Sequence, residues 1–142
     1  MKGKILVGVQ FGCIFALLIF TRWLSLPWWS YLLLSVSGAL AIWAMMVMKL
    51  GNFNVVPTPV YQGRLVTQGP YRLIRHPMYT AVFIFAAALL AGQFDYIKLI
   101  ICLLLVAGLV VKMLHEENLL CSHYPGYRAY MDRTKRVIPF VW

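Results

Sequence analysis

A polar and aromatic run lies between two long apolar segments of the sequence. It covers residues 69–79, reads GPYRLIRHPMY, and includes Arg72, Arg75 and His76. Arginine and histidine side chains are costly to desolvate at a membrane boundary, so their presence there indicates a functional site rather than scaffold. A guanidinium or imidazole group in such a site could bind a carboxylate or a phosphate.

A second polar stretch follows two apolar segments later. It contains a histidine, an acidic pair, and then aromatic and basic residues: His115, Glu116, Glu117, Tyr124, Tyr127, Tyr130 and Arg133. A helical hairpin between the two stretches would bring both to one membrane face. There the basic and aromatic groups of the first stretch and the carboxylates of the second could hold a small zwitterionic ligand.

The two adjacent glutamates are expected to differ in role. Neighbouring side chains on an α-helix point about 100° apart, so only one of them is expected to contact a ligand directly, and Glu117 is our choice. Glu116 could instead pair with Lys112, which lies one turn earlier. The spacing leaves both roles of Glu116 open.

The composition predicts a membrane protein. Of the 142 residues, 62% are hydrophobic and 12% are charged, whereas a soluble domain carries about 25% charged residues. Too few polar residues are present to cover a soluble surface. The three cysteines form no CxxC pair and no His/Cys cluster with metal-ligand spacing, so neither a disulfide framework nor a metal site is expected.

Charge-free gaps divide the chain into four apolar spans. They cover residues 5–21, 23–48, 76–94 and roughly 96–114, each near the length of about 20 residues that a spanning helix needs. The third is the shortest. The turn at 92–95 makes the third and fourth spans an antiparallel hairpin. We therefore expect an all-α, polytopic membrane protein with about four transmembrane helices and an interfacial C-terminal helical segment.

Lysine and arginine placement predicts the orientation. Arg22 and Lys98 fall on one side, and the other eleven basic residues fall on the opposite side: Lys2, Lys4, Lys49, Arg64, Arg72, Arg75, Lys112, Arg128, Arg133, Lys135 and Arg136. By the positive-inside rule, both termini and the loop at 49–75 are cytoplasmic. The net charge of +9 is therefore attributed to topology and to contact with anionic lipid headgroups, not to nucleic-acid binding.

The chain is expected to form a single domain in four parts. These are two N-terminal transmembrane helices (1–50), a cytoplasmic loop with the RHPxY motif (51–78), a transmembrane hairpin (79–114) and a cytoplasmic tail (115–142) that binds cofactor and substrate. Within the loop, Pro57 and Pro59 predict an extended linker. Its apolar residues suggest that it lies against the membrane or over the site.

Four motifs resemble the isoprenylcysteine carboxyl methyltransferase and phospholipid methyltransferase superfamily. They are LVTQGPYR at 65–72, RHPMY at 75–79, EENLL at 116–120, and YRAYMDR at 127–133 closed by Pro139. They cover about residue 65 to the C-terminus, in the family's order. Members are small integral membrane enzymes that use S-adenosylmethionine. The family usually has glycine after the RHPxY tyrosine, where this sequence has Thr80.

The resemblance implies which residues bind the cofactor, S-adenosylmethionine, whose product is S-adenosylhomocysteine. The implied cofactor shell consists of Tyr71, His76, Pro77, Tyr79, Glu116, Glu117 and Leu120. Arg75, Tyr130 and Arg133 are the candidate catalytic residues, since a guanidinium can hold a lipid carboxylate or phosphate bidentately. A carboxylate acceptor is already nucleophilic at neutral pH, whereas an ammonium acceptor would need His76 or a glutamate as a base.

Several functions remain open at this point. The leading interpretation is an isoprenylcysteine carboxyl methyltransferase-like enzyme that methylates a carboxylate, and the alternative is a phospholipid (ethanolamine) N-methyltransferase. A small four-helix multidrug-type transporter is less favoured, because such a protein needs an acidic residue within its spans. A membrane reductase is a third possibility, although the chain has no GxGxxG motif for a nicotinamide cofactor.

The expected partners and location follow from the leading interpretation. A lipophilic small molecule or prenylated substrate would enter from the bilayer, and membrane lipids would surround the helices. We expect an integral protein of a prokaryotic cytoplasmic membrane, with its active site on the cytoplasmic face. The oligomeric state stays open.

Overall fold

The computed structural model describes residues 2–48, 65–139 and 141, and these form an all-α fold. The helices are α1 (Lys2–Phe20), α2 (Trp28–Met48), α3 (Pro77–Gly92), α4 (Tyr96–His123) and α5 (Tyr127–Arg133). Short 3-10 helices cover Trp23–Ser25 and Gly69–Arg72. The predicted all-α class is confirmed. Residues 51–64 of the predicted linker, which spans 51–68 and includes Arg64, lie outside the described residues, as does Lys49.

Three helices are long and apolar enough to cross a membrane, namely α1, α2 and α4. The predicted third span, α3, is apolar but has only 16 residues. The four helices follow the predicted order, and the third is the shortest, as expected. The chain is therefore an integral membrane protein by the length and composition of its helices.

The structure gives the bounds of the third and fourth helices. Helix α3 runs from Pro77 to Gly92, within the predicted third span of 76–94. Proline suits the first helical position because no N–H partner exists there and its φ is already helical. Helix α4 continues beyond the predicted apolar span at 96–114, and its 28 residues end at His123, so Glu116 and Glu117 lie on it as their helical spacing assumed. At 1.5 Å per residue it is about 42 Å long, more than the roughly 30 Å of hydrocarbon. Its last turns therefore extend beyond the apolar layer.

Small side chains allow α2 and α3 to pack closely and antiparallel. Ser30 Oγ donates to Ala88 O at 3.1 Å, and Ser37 Oγ donates to Ala81 O at 2.8 Å. A Cβ atom at Gly92 would overlap Ser30 Oγ, so glycine is required where α3 meets the start of α2. Such small residues and buried hydroxyls are typical of helix contacts in membranes.

The core lies where α1, α3 and α4 meet. It contains fully buried side chains from all three helices: Leu17, Leu89, Leu105, Leu109 and Met113. Many large apolar residues instead point outward, among them Phe15, Trp43 and Leu103. This arrangement, apolar inside and outside, suits a bundle surrounded by lipid.

The α3–α4 turn is held by a polar network that we call the hairpin end, formed by Arg22, Gln93, Asp95 and Lys98. Gln93 accepts from Arg22 N–H at 3.1 Å and donates to Arg22 O at 2.6 Å. Lys98, buried within α4, donates to Gln93 Oε1 at 3.0 Å. Asp95 caps α4 by accepting from Ile97 N–H at 2.7 Å. The predicted turn is therefore present, with its backbone groups satisfied by side chains.

The C-terminal tail returns to the RHPxY motif. Residues Ile74 and Lys135 form an isolated parallel bridge, in which Arg75 N–H donates to Lys135 O at 2.7 Å and His76 N–H donates to Arg136 O at 2.9 Å. The predicted C-terminal helical segment is limited to the seven residues of α5. The chain that follows α5 therefore lies against the motif.

Candidate active site

The site begins at Gly69, a position that requires glycine. Gly69 has a φ of +57°, a conformation that L-residues with side chains rarely adopt. A Cβ atom there would lie 2.7 Å from Val47 Cγ2. Gly69 thus lets the 3-10 helix pack against α2, and Pro70 and Tyr71 become buried directly after it.

Arg75 ties the motif to α4 and to the tail. Its side chain is 7% exposed, and its Nε donates to Glu117 Oε1 at 2.8 Å. Its Nη1 donates to Met131 O at 3.1 Å and also to Thr134 O. The guanidinium therefore satisfies a buried carboxylate and two carbonyls at the end of α5.

His76 lies between the two glutamates and is buried. Its Nδ1 is 3.8 Å from Glu116 Oε2, and its Nε2 is 3.4 Å from Glu117 Oε1. The imidazole stacks on the Tyr79 ring, with centroids 5.3 Å apart and planes within 8°. The Nε2 contact lacks hydrogen-bond geometry, so this buried nitrogen has no hydrogen-bond partner among the described residues.

Glu116 is held by α3 and not by its own helix. Tyr79 Oη donates to Glu116 Oε1 at 2.6 Å. Lys112 donates to Gln10 Oε1 at 2.9 Å, and its Nζ lies 5.3 Å from the centroid of the Tyr79 ring. Lys112 attracts Glu116 electrostatically, but no ion pair joins the two side chains among the described residues, where α1 and α3 supply their hydrogen-bond partners.

Glu117 is the most enclosed carboxylate of the site. Its side chain is 5% exposed and accepts from Arg75 on one oxygen and from Arg136 Nε, at 3.0 Å, on the other. Charge-assisted hydrogen bonds of this kind are stronger than neutral ones. They fix the carboxylate beside His76.

Three tyrosines, of which Tyr71 and Tyr127 are buried and Tyr130 is half-buried, form the wall towards the tail. Burial raises the pKa of Tyr71 and Tyr127, and it raises the pKa of Tyr130 to about 12. All three phenols therefore remain protonated and can donate hydrogen bonds at neutral pH. Tyr130 Oη donates to Tyr71 O at 2.6 Å, whereas Tyr71 Oη has no partner within the described part of the chain.

The structure brings most of the predicted site residues together. Tyr71, Arg75, His76, Tyr79, Glu116 and Glu117 form one contiguous cluster, with Tyr130 against Tyr71. Pro77 is fully buried at the start of α3, and Leu120 is half-buried one turn beyond Glu116 and Glu117 on α4. Arg133 is exposed at the end of α5 and lies outside this hydrogen-bonded cluster.

Two contacts were missed from the sequence. Arg136 was assigned to headgroup contact, but it binds Glu117. Thr80 Oγ1 lies 2.8 Å from Val137 O and 3.2 Å from His76 O, so its hydroxyl links α3 to the tail. The composition held a signal for the Arg136 contact. With 13 basic residues and only four acidic ones, a buried carboxylate is expected to bind more than one basic side chain. No local pattern predicts the Thr80 contact.

These helices and this site define an integral membrane protein with a polar cluster at one end of its helical bundle. Residues 31–122 match the model of the isoprenylcysteine carboxyl methyltransferase (ICMT) family, and the chain belongs to that family. The match includes the RHPxY motif and the Glu116–Glu117 pair and ends before α5. No curated protein and no solved structure matches the chain.

Proposed function

We propose that the protein is an S-adenosylmethionine-dependent methyltransferase that methylates a carboxylate on a lipophilic acceptor at the membrane. One observation carries this proposal. Two buried polar atoms without hydrogen-bond partners among the described residues, Tyr71 Oη and His76 Nε2, lie in the cluster that also contains both glutamates. Buried polar atoms usually have partners, so an unpartnered pair is a mark of ligand binding.

The residues present fit the proposed cofactor. S-adenosylmethionine would supply a methyl group activated by its sulfonium. The carboxylates of Glu116 and Glu117 suit its ammonium group or its ribose hydroxyls, and His76 Nε2 and Tyr71 Oη suit its polar atoms. The aromatic ring of Tyr79 can favour a cation electrostatically. The half-buried Leu120 adds an apolar surface on α4.

The chain's own contribution is positioning. Arg75 and Arg136 fix Glu117, and Tyr79 fixes Glu116, so both carboxylates are oriented before a ligand arrives. Preorganised groups of this kind lower a barrier because they need no rearrangement during the reaction. Arg75 acts here as a positioning residue. Tyr130 supports Tyr71 through its carbonyl.

Two features favour access for a lipophilic acceptor. The outer surfaces of α1, α2 and α4 are apolar, so such a molecule can reach the bundle through the bilayer. The exposed Arg133 is placed to meet a negatively charged headgroup at the rim. The distribution of basic residues supports a cytoplasmic location of the site, and we propose a prokaryotic cytoplasmic membrane.

The test is calorimetric titration of S-adenosylhomocysteine into detergent-purified protein, with NADPH for comparison. We expect micromolar binding of S-adenosylhomocysteine and none of NADPH. His76→Ala should weaken that binding by about tenfold or more, as expected for the loss of hydrogen bonds and stacking. His115→Ala is the matched control, since His115 is exposed on α4, and it should bind normally. Absence of binding to folded wild-type protein would reject the proposal.

A further inference from the structure

We propose that Lys112 binds the negatively charged headgroup of the acceptor and so selects anionic acceptors over zwitterionic amines. This inference rests on the proposed methyltransferase function and deepens it. It concerns a residue that belongs to none of the sequence motifs. Lys112 is buried, its charge is incompletely compensated, and it lies deeper in the bundle than the glutamates.

Lys112 is a buried cation whose direct contacts are neutral, although Glu116, one turn later on α4, attracts it electrostatically. The residue is 3% exposed, its Nζ donates to the amide oxygen of Gln10, and the ring of Tyr79 lies within cation–π range. An ammonium group has three donors. Within the described residues, no carboxylate forms an ion pair with it. Burial of a charge without an ion-pair partner is costly, and such a charge favours an incoming anion.

The chain has few carboxylates with which to compensate this charge. It contains four acidic side chains, and all four lie in the described ranges. Asp95 caps α4 at the hairpin end, and Asp132 is exposed on α5. Glu117 is already bound by two arginines. Glu116 and Glu117 supply two negative charges, whereas Arg75, Arg136 and Lys112 supply three positive charges. These five side chains together therefore carry one positive charge in excess.

The depth of Lys112 suits a ligand that arrives from the bilayer. It lies one turn before Glu116 on α4, which places it about 6 Å closer to the middle of the helix. Its partner Gln10 belongs to α1, whose other side chains near it are apolar. A lipophilic acceptor that keeps its chain among the lipids can therefore present a carboxylate to Lys112 beneath the glutamates.

The experiment compares two probes that differ in one charge. Full-length protein in phosphatidylcholine nanodiscs is saturated with S-adenosylhomocysteine and titrated with N-acetyl-S-farnesylcysteine or with its methyl ester. The variants are Lys112→Met, Lys112→Gln and Lys112→Arg. Lys98→Met is the matched control, because Lys98 is equally buried, at 3%, on the same helix at the hairpin end. The titrations are repeated with phosphatidylglycerol in the nanodiscs.

We expect the wild type to bind the carboxylate about tenfold or more tightly than the ester, as a charge-assisted hydrogen bond would provide. Lys112→Met and Lys112→Gln should bind both probes equally, whereas Lys112→Arg and Lys98→Met should keep the preference. S-adenosylhomocysteine binding by each variant verifies its fold.

Three results would overturn the inference. One is equal binding of both probes by the wild type, which needs no variant to interpret. Another is an unchanged preference in a folded Lys112→Met or Lys112→Gln protein. The third is a Lys112-dependent effect of phosphatidylglycerol in a protein that does not bind the carboxylate probe. That result would assign Lys112 to contact with bulk anionic lipid. Failure of S-adenosylhomocysteine to bind the wild type would instead reject the proposed function.

Discussion

The two ends of the helical bundle both bury charged and polar side chains, but they use them differently. At the hairpin end, Gln93 uses both amide atoms, Lys98 donates to Gln93, and Asp95 caps a helix. At the motif end, formed by the RHPxY segment, the glutamate pair and the tail, two arginines converge on Glu117. The two buried side-chain atoms without hydrogen-bond partners in the described ranges, on Tyr71 and His76, both lie there.

The polar groups of the hairpin end therefore stabilise the fold, whereas those of the motif end are arranged for function. The hairpin end satisfies the backbone at a turn, where each side chain has one local task. The motif end assembles groups from the 3-10 helix, α3, α4 and the tail, and leaves some of them unpaired. Natural proteins depart from full polar satisfaction chiefly at functional sites. Variants at the two ends should therefore change stability and ligand binding in different proportions.

The largest effect is expected from Glu117→Gln at the motif end. Without the carboxylate, Arg75 and Arg136 lose their shared counter-charge, and breaking a buried ion pair costs about 3 to 5 kcal/mol of stability. S-adenosylhomocysteine binding should fall by more than about tenfold. Thermal unfolding in detergent and calorimetry measure the two effects. Normal ligand affinity in this variant would remove Glu117 from the site.

Gln93→Ala at the hairpin end should destabilise without weakening ligand binding. It removes the two hydrogen bonds to Arg22 and the acceptor of Lys98, a loss of about 2 kcal/mol. S-adenosylhomocysteine affinity should stay within about twofold of wild type, since sites this far apart behave independently. Chemical denaturation followed by calorimetry checks both. A drop in affinity equal to that of Glu117→Gln would abolish the distinction between the ends.

Thr80→Val tests whether the tail belongs to the motif end. The substitution keeps the shape but removes the hydroxyl that contacts Val137 O, at a cost of about 1 kcal/mol. We expect faster amide hydrogen exchange in the tail, with the hairpin end unchanged. Thr80→Ser keeps the hydroxyl and is the control. Equal exchange in the Val and Ser variants would show that the hydroxyl does not anchor the tail.

Arg133→Ala should have the smallest effect on stability, within about 0.5 kcal/mol, because the side chain is exposed. Acceptor turnover should fall more than cofactor binding, since Arg133 is placed at the rim. Steady-state assays with a prenylcysteine acceptor, beside calorimetry with S-adenosylhomocysteine, separate the two quantities. Unchanged turnover would assign Arg133 to ordinary headgroup contact.

The apolar helices and the meeting of the two polar motifs were predictable, because both follow from patterns that are local in the sequence or repeated along it. Charge-free gaps gave the four apolar helices in order, and the hairpin between the motifs implied that His76 would meet the glutamates. Both follow from the polarity of the bilayer, which constrains every residue of a span in the same way. The helical spacing assumed for Glu116 and Glu117 agrees with the continuation of α4 to His123, because polar residues mark the end of the apolar layer rather than the end of a helix.

Features that depend on distant partners were not predictable. The spacing of Lys112 and Glu116 suits an ion pair within one helix, yet Gln10 on α1 and Tyr79 on α3 are the partners observed. Arg136 reaches Glu117 because the tail bridges backbone to backbone with the motif. Helical spacing describes neighbours within one element and carries no information about which other element packs there.

The shortness of α3 sets the depth of the site. Extending the antiparallel pairing of Ser37 with Ala81 places His76 level with Ile42, about 9 Å before the end of α2 by the helical rise. The cluster is therefore recessed among longer helices, within reach of a headgroup whose chain remains in the membrane. For the proposed enzyme, the rate would then follow the mole fraction of acceptor in the lipid rather than its concentration in the whole sample. Diluting the bilayer with inert lipid would slow turnover even when the total amounts of enzyme and acceptor stay the same.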